Sequence, residues 1–127
     1  MRLTRPRAQH WYFFSVGRAN FDICAIASHW DSERGSWDGG EVRVDFNVVS
    51  DPDRVLYQEI LKYRPEIEEA IGEPVTWHVP DDTKGWRIFV RRQADITDES
   101  RWPELFAWLE ERVELFRVFR SVVQKLP

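Results

Sequence analysis

Glu41-Val42-Arg43-Val44-Asp45-Phe46-Asn47-Val48 decides how this chain reads. Val42, Val44, Phe46 and Val48 fall on one side of an extended backbone, and Arg43, Asp45 and Asn47 fall on the other. Period-two alternation is the mark of a β-strand with one face in a core and one in water. Toward the N-terminus, residues 21–28 alternate in the same way. Phe21, Ile23, Ala25 and Ala27 lie opposite Asp22, Cys24, Ile26 and Ser28. Residues 11–16 are aromatic and β-prone, and Gly17-Arg18-Ala19-Asn20 reads as a turn, so a hairpin is expected. Residues 31–40, rich in Gly, Ser and Asp, form a loop. Residues 1–9 are an extended basic lead-in, and residues 10–127 are the α+β core.

Toward the C-terminus, Asp51-Pro52 opens a helix, because Asp offers a cap and Pro suits the first helical position. Leu56, Ile60, Tyr63, Ile67 and Ile71 recur at three and four as its apolar stripe. Pro65 predicts a kink or break near Lys62, and Gly72 with Pro74 ends the helix. Residues 75–79 and 86–91 form a second hairpin around a turn at 80–85. Asp98 or Ser100 caps a last helix that buries Trp102, Leu105, Phe106, Leu109, Val113, Phe116, Phe119 and Val123. The order β-β-β-α-β-β-α predicts an α+β two-layer sandwich: a mainly antiparallel sheet with helices packed on one face.

Seven tryptophans in 127 residues point to a firm packed body, since an indole is costly to leave in water. The length suits one domain. The balance of 43% apolar and 31% charged residues argues against disorder. A net charge of -4 lowers the expectation of non-specific nucleic-acid binding. The charge is uneven: Arg2, Arg5, Arg7 and Arg18 crowd the start, while Glu66, Glu68, Glu69 and Glu73 crowd one helix. The single cysteine, Cys24, excludes an internal disulfide. No apolar run approaches the roughly 18 residues of a membrane helix. The N-terminus lacks the apolar segment of a signal peptide. The expected location is cytoplasmic, without membrane attachment.

Chemical motifs are weak. Pro52-Asp53 and Asp82-Thr83-Lys84 carry the letters of a Mg²⁺-dependent nuclease, but they fall in a helix start and a hairpin turn rather than on paired strand ends. His10, His29 and His78 with Cys24 lack the local spacing of a zinc site. No catalytic residue, metal ligand or cofactor site is therefore singled out. The candidate interaction surface has three parts. His10, Tyr12 and Arg18 form a polar-aromatic cluster. Trp30 and Trp37 lie in the long loop. Arg43, Arg87 and Arg91 form a row across strands, suited either to phosphates or to salt pairing with neighbouring acids.

Several ordered segments carry a family resemblance. They are Gln9-His10-Trp11-Tyr12, Phe14-Ser15-Val16-Gly17-Arg18, Glu66-Ile67-Glu68 and Gly72-Glu73-Pro74-Val75-Thr76-Trp77. Arg87-Ile88, Trp102-Pro103-Glu104, Trp108-Leu109 and Phe116-Arg117-Val118-Phe119 follow. Together they resemble the bacterial and archaeal family called domain of unknown function 4268, over roughly residues 8–124. The chain departs from the family pattern at Pro65 and in the longer 31–40 loop. The resemblance implies no established activity. In larger members the similar domain often follows a nuclease-like segment in proteins linked to defence against foreign DNA. The expected function is a non-catalytic accessory or interaction domain that binds a protein partner or itself. The alternative is a nucleic-acid-binding module using the basic arm and the arginine row.

Overall fold

The structure, a computed structural model, describes residues 9–37 and 39–127, with the backbone alone for 9–11. Arg2, Arg5 and Arg7 lie outside the described residues. Five strands form one antiparallel sheet: β1 (Gln9–Ser15), β2 (Phe21–Ser28), β3 (Glu41–Val48), β4 (Thr76–His78) and β5 (Trp86–Gln93), in the order β1-β2-β3-β5-β4. The described residues also hold four α-helices: α1 (Val55–Leu61) and α2 (Arg64–Ile71) between β3 and β4, and α3 (Trp102–Leu115) and α4 (Val118–Gln124) after β5. This is the expected α+β class, and β2 and β3 begin and end where the alternation does.

The helical halves differ from expectation in detail. The first helix breaks at Lys62-Tyr63, where Pro65 lets α2 restart because its missing N–H is not needed in a first turn. The last helix also breaks: α3 ends at Leu115 and α4 begins at Val118. The break keeps Phe116 and Phe119 both fully buried, with their rings 5.2 Å apart edge to face. Continuous apolar spacing concealed this second break.

Val42, Val44, Phe46 and Val48 are at most 1% exposed and form one core with Leu105, Leu109, Phe116 and Phe119. Phe46 stacks on Phe119 at 4.1 Å and on Phe21 at 6.0 Å.

Asp51 is buried and lies four residues before the helix rather than at its cap. Its carboxylate accepts the N–H groups of Leu56 and Tyr57 and the indole N–H of Trp86. Helix α1 therefore starts at Val55, and Pro52 precedes it. Arg54, at φ 57°, holds the left-handed backbone that a non-glycine residue adopts only at some cost. Its guanidinium offsets that cost by donating to four carbonyls: Asp51, Pro80, Thr83 and Lys84. The turn between β4 and β5, which contains the nuclease-like letters, is thus tied to the start of α1.

Candidate functional site on the second face of the sheet

The residues between the core positions face away from the helices. Register aligns them in rows. Asp22, Asn47, Arg87 and His78 stand side by side across β2, β3, β5 and β4. Phe13, Cys24, Asp45 and Phe89 form the next row, and Ile26, Arg43 and Arg91 the one after.

This second face is not simply wet. Glu41, Asp45 and Cys24 are at most 2% exposed, and Arg43 is 9% exposed. Charges can be buried here because they are paired. Arg43 donates from Nε to Asp45 at 2.7 Å and from Nη1 to Glu41 at 2.9 Å. Arg91, its cross-strand neighbour, donates to Glu41 at 3.0 Å, to Asp31 at 2.8 Å and to Glu33. Ser32 adds two hydrogen bonds to Glu41. Residues 31–36 are therefore stapled over one end of the face, closed by a bridge between Asp31 and Ser36.

Beside this lattice lies a pocket of about 460 Å³. Phe13, Ile26, Val49 and Pro80 supply apolar walls, Asp22, Cys24, Arg43, Asp45, Asn47, His78, Thr83 and Arg87 supply polar groups, and the strand ends at Val48 and Trp86, whose side chains belong to the core, complete the lining. No residue of the four helices lines it. A mainly apolar concavity with a few convergent polar groups is the usual form of a binding site. Phe13, 63% exposed, stands at its edge.

The polar groups differ in how well they are satisfied. Burial raises the Asp45 carboxyl above the usual carboxylate range, with the charge and hydrogen bond of Arg43 opposing. Burial pushes the Cys24 thiol up to about 12, and the charges of Asp45 and Asp22 add to it. Such a thiol is a packed residue rather than a nucleophile at neutral pH. Asp22 accepts from Asn47 at 2.8 Å. Arg87 is the exception. Its Nε is buried without a hydrogen-bond partner, and its Cζ lies 5.4 Å from the Phe89 ring. Burial, then the like charge of Arg43, pulls its pKa below the usual guanidinium value.

The eight candidate residues from the sequence do not form one surface. Arg43, Arg87 and Arg91 share the second face, but Arg43 and Arg91 are committed to acids of this chain. Trp30 and Trp37 meet edge to face at 4.9 Å in the loop, with Trp37 65% exposed. Tyr12 lies on the helix side, packed against the core. Arg18 donates to the carbonyls of Val123, Leu126 and Pro127, fastening the chain end to the first hairpin. The His10 side chain lies outside the described residues. Sequence reasoning missed Phe13, Asp22, Asp45, Asn47 and His78 as neighbours. Their common face was visible in each strand, but pairing order across β3, β5 and β4 was needed to bring them together.

Among the described residues, no group of three or more His, Cys, Asp or Glu side chains could hold a metal ion. Among the same residues, no helix is long and apolar enough to cross a membrane. A family model described as "Domain of unknown function (DUF4268)" matches residues 1–123. No curated protein and no solved structure matches the chain.

Proposed function

Because this chain belongs to the domain of unknown function 4268 family, whose description names no activity, we propose a function from the site itself: a non-catalytic interaction domain that receives a protein partner on the second face of its sheet. The observation that carries this reading is the pocket of about 460 Å³ on that face, opening beside exposed Phe13. A concave, largely apolar wall with an aromatic at its rim is the kind of surface on which interface anchors concentrate. The exposed indole of Trp37 offers a second anchor. A link to defence against foreign DNA belongs to the same proposal and rests on the family resemblance; a cytoplasmic setting belongs to it too and rests on the single cysteine and the lack of a long apolar run. The nucleic-acid alternative is less favoured, because Arg43 and Arg91 already spend their donors on Glu41, Asp45, Asp31 and Glu33.

The test compares surfaces. Tagged chain is used to recover bound proteins from its own cells, and sedimentation of the purified chain measures self-association. Phe13→Asp should lose a partner, or the self-association, that Glu69→Lys on α2 retains. A partner kept by Phe13→Asp but lost on charge reversal of the helices would move the interface to the other layer. Tight, salt-sensitive binding of a short duplex, weakening about one log unit per log salt for each phosphate neutralised, would return the nucleic-acid reading.

A further inference from the structure

We propose that the pocket is a receptor for a carboxylate carried on an acidic peptide segment of the partner, with Arg87 as its anchor. This deepens the reading above and rests on it for the partner's placement.

Among the described residues, three arginines lie on the second face, and they divide by what they hold. Arg43 grips Glu41 and Asp45, and Arg91 grips Asp31, Glu33 and Glu41. Arg87, among the described residues, holds no anion. Its Nε is sealed against the protein without an acceptor, while the residue as a whole remains partly exposed on the pocket wall. Phe89 supports the guanidinium from one side at 5.4 Å, so its direction is set before a ligand arrives. A desolvated cation without a charge-assisted hydrogen bond gains more from an incoming anion than a solvated one does.

The surroundings select the anion. Asp22 and Asp45 line the same pocket. A phosphate dianion would meet both carboxylates with twice the charge. A carboxylate carries one charge, fits the planar guanidinium through two parallel bonds, and meets an Asp45 whose own charge is countered by Arg43 at 2.7 Å.

The surroundings also select a peptide. Asn47 pairs with Asp22 on one side and Arg87 on the other. Two strand spacings put these opposite charges about 10 Å apart. Asn47 occupies one Asp22 oxygen and leaves the other able to accept an N–H. An extended peptide advances about 3.3 Å per residue, so a backbone N–H some three residues from an acidic side chain reaches Asp22 while the acid reaches Arg87. An apolar side chain at the Asp22 end would rest on Phe13, which stands on β1 beyond β2.

The experiment titrates the ¹⁵N-labelled full chain with acetyl-Phe-Ala-Ala-Glu-amide, and with versions carrying Gln or phosphoserine in place of Glu. The Glu peptide should give saturable shifts at the amides of Asn47, Gly85, Trp86 and Arg87. The Gln peptide should bind at least tenfold more weakly. Arg87→Gln should weaken the Glu peptide by a similar factor. Arg87→Lys, which keeps the charge but not the paired donors, should fall between. Equal binding of Glu and Gln peptides, undiminished binding to Arg87→Gln, shifts mapping elsewhere, or no binding at millimolar peptide would each overturn the proposal. Tighter binding of the phosphoserine peptide would overturn the choice of carboxylate. If Phe13→Asp loses the cellular partner and Arg87→Gln keeps it, the interaction face stands and the carboxylate receptor falls. If the peptide binds through Arg87 but neither variant changes partner recovery, the receptor stands and the partner's placement falls.

Discussion

Both faces of β3 are largely buried, and they are held by opposite means. Val42, Val44, Phe46 and Val48 press into aromatic and aliphatic side chains under the helices. Glu41, Arg43 and Asp45, one residue out of step, are sealed from water within a lattice of ion pairs. The apolar face gains stability from area removed from water, and it tolerates exchange among side chains of similar volume. The charged face has little to gain from burial itself. Its ions must recover in pairing what they lose in hydration, so the position of each partner matters. A pocket opening into the second face therefore meets side chains with fixed directions and defined charges.

The largest break in this comparison comes from carrying charge to the wrong face. Phe46→Asp places a carboxylate among Phe21, Phe119 and the helix side chains, with no partner. That costs several kcal/mol against a total stability of roughly 5–15 kcal/mol. Thermal melting followed by circular dichroism should show no cooperative transition. A variant that melts like wild type would refute the register of the core.

The next test removes charge from the face that uses it. Arg43→Met leaves Glu41 and Asp45 buried with fewer donors and should cost about 3–5 kcal/mol in urea unfolding. Adding Asp45→Asn should recover part of that loss, because one stranded charge is removed. Additive losses in the double variant would show that Arg43 and Asp45 are not coupled.

A chemical probe reaches the same face without altering it. With its thiol pushed up to about 12, Cys24 should alkylate near pH 8 about a thousandfold more slowly than an ordinary exposed cysteine. Denaturant should restore the ordinary rate. Rapid labelling of the native chain would mean that the row around Cys24 is open.

The smallest effect is a pH dependence. Burial raises the Asp45 pKa above its unfolded value of 3.8. The native state therefore binds this proton more tightly than the unfolded state does. That contribution is fully present below 3.8 and is lost as pH rises through the folded-state pKa. Asp45→Asn removes the titration. The variant's stability relative to wild type should rise across this window and level off above it. A flat difference between the two proteins would place Asp45 in a better-solvated setting.

Much of the fold was legible because local pattern and tertiary burial agree in the strands. The limits of β2 and β3 follow from alternation alone. The break at Lys62-Tyr63 follows from Pro65. The break after Leu115 carries no comparable breaker: Phe116 and Phe119 fit a continuous stripe as well as an interrupted one. The candidate site was harder to see. Asp45 and Arg87 are 42 positions apart and line one pocket only because β5 inserts between β3 and β4, which no local period encodes. Arg43 and Arg91 illustrate the same limit. Their outward alternation was plain, but the acids that occupy them come from the loop and from β3 itself.

Arg54 bears on what the pocket can do. Its guanidinium gathers the carbonyls of Pro80, Thr83 and Lys84 from behind, and Pro80, Thr83 and Gly85 form part of the rim. The turn is thus fixed by a side chain from another element rather than by a visiting ligand. An incoming group finds that wall already ordered, so little conformational entropy is lost when it lands. Loosening Arg54 would keep every lining residue in the sequence but free Pro80, Thr83 and Gly85 to move, so a guest would lose more entropy on landing.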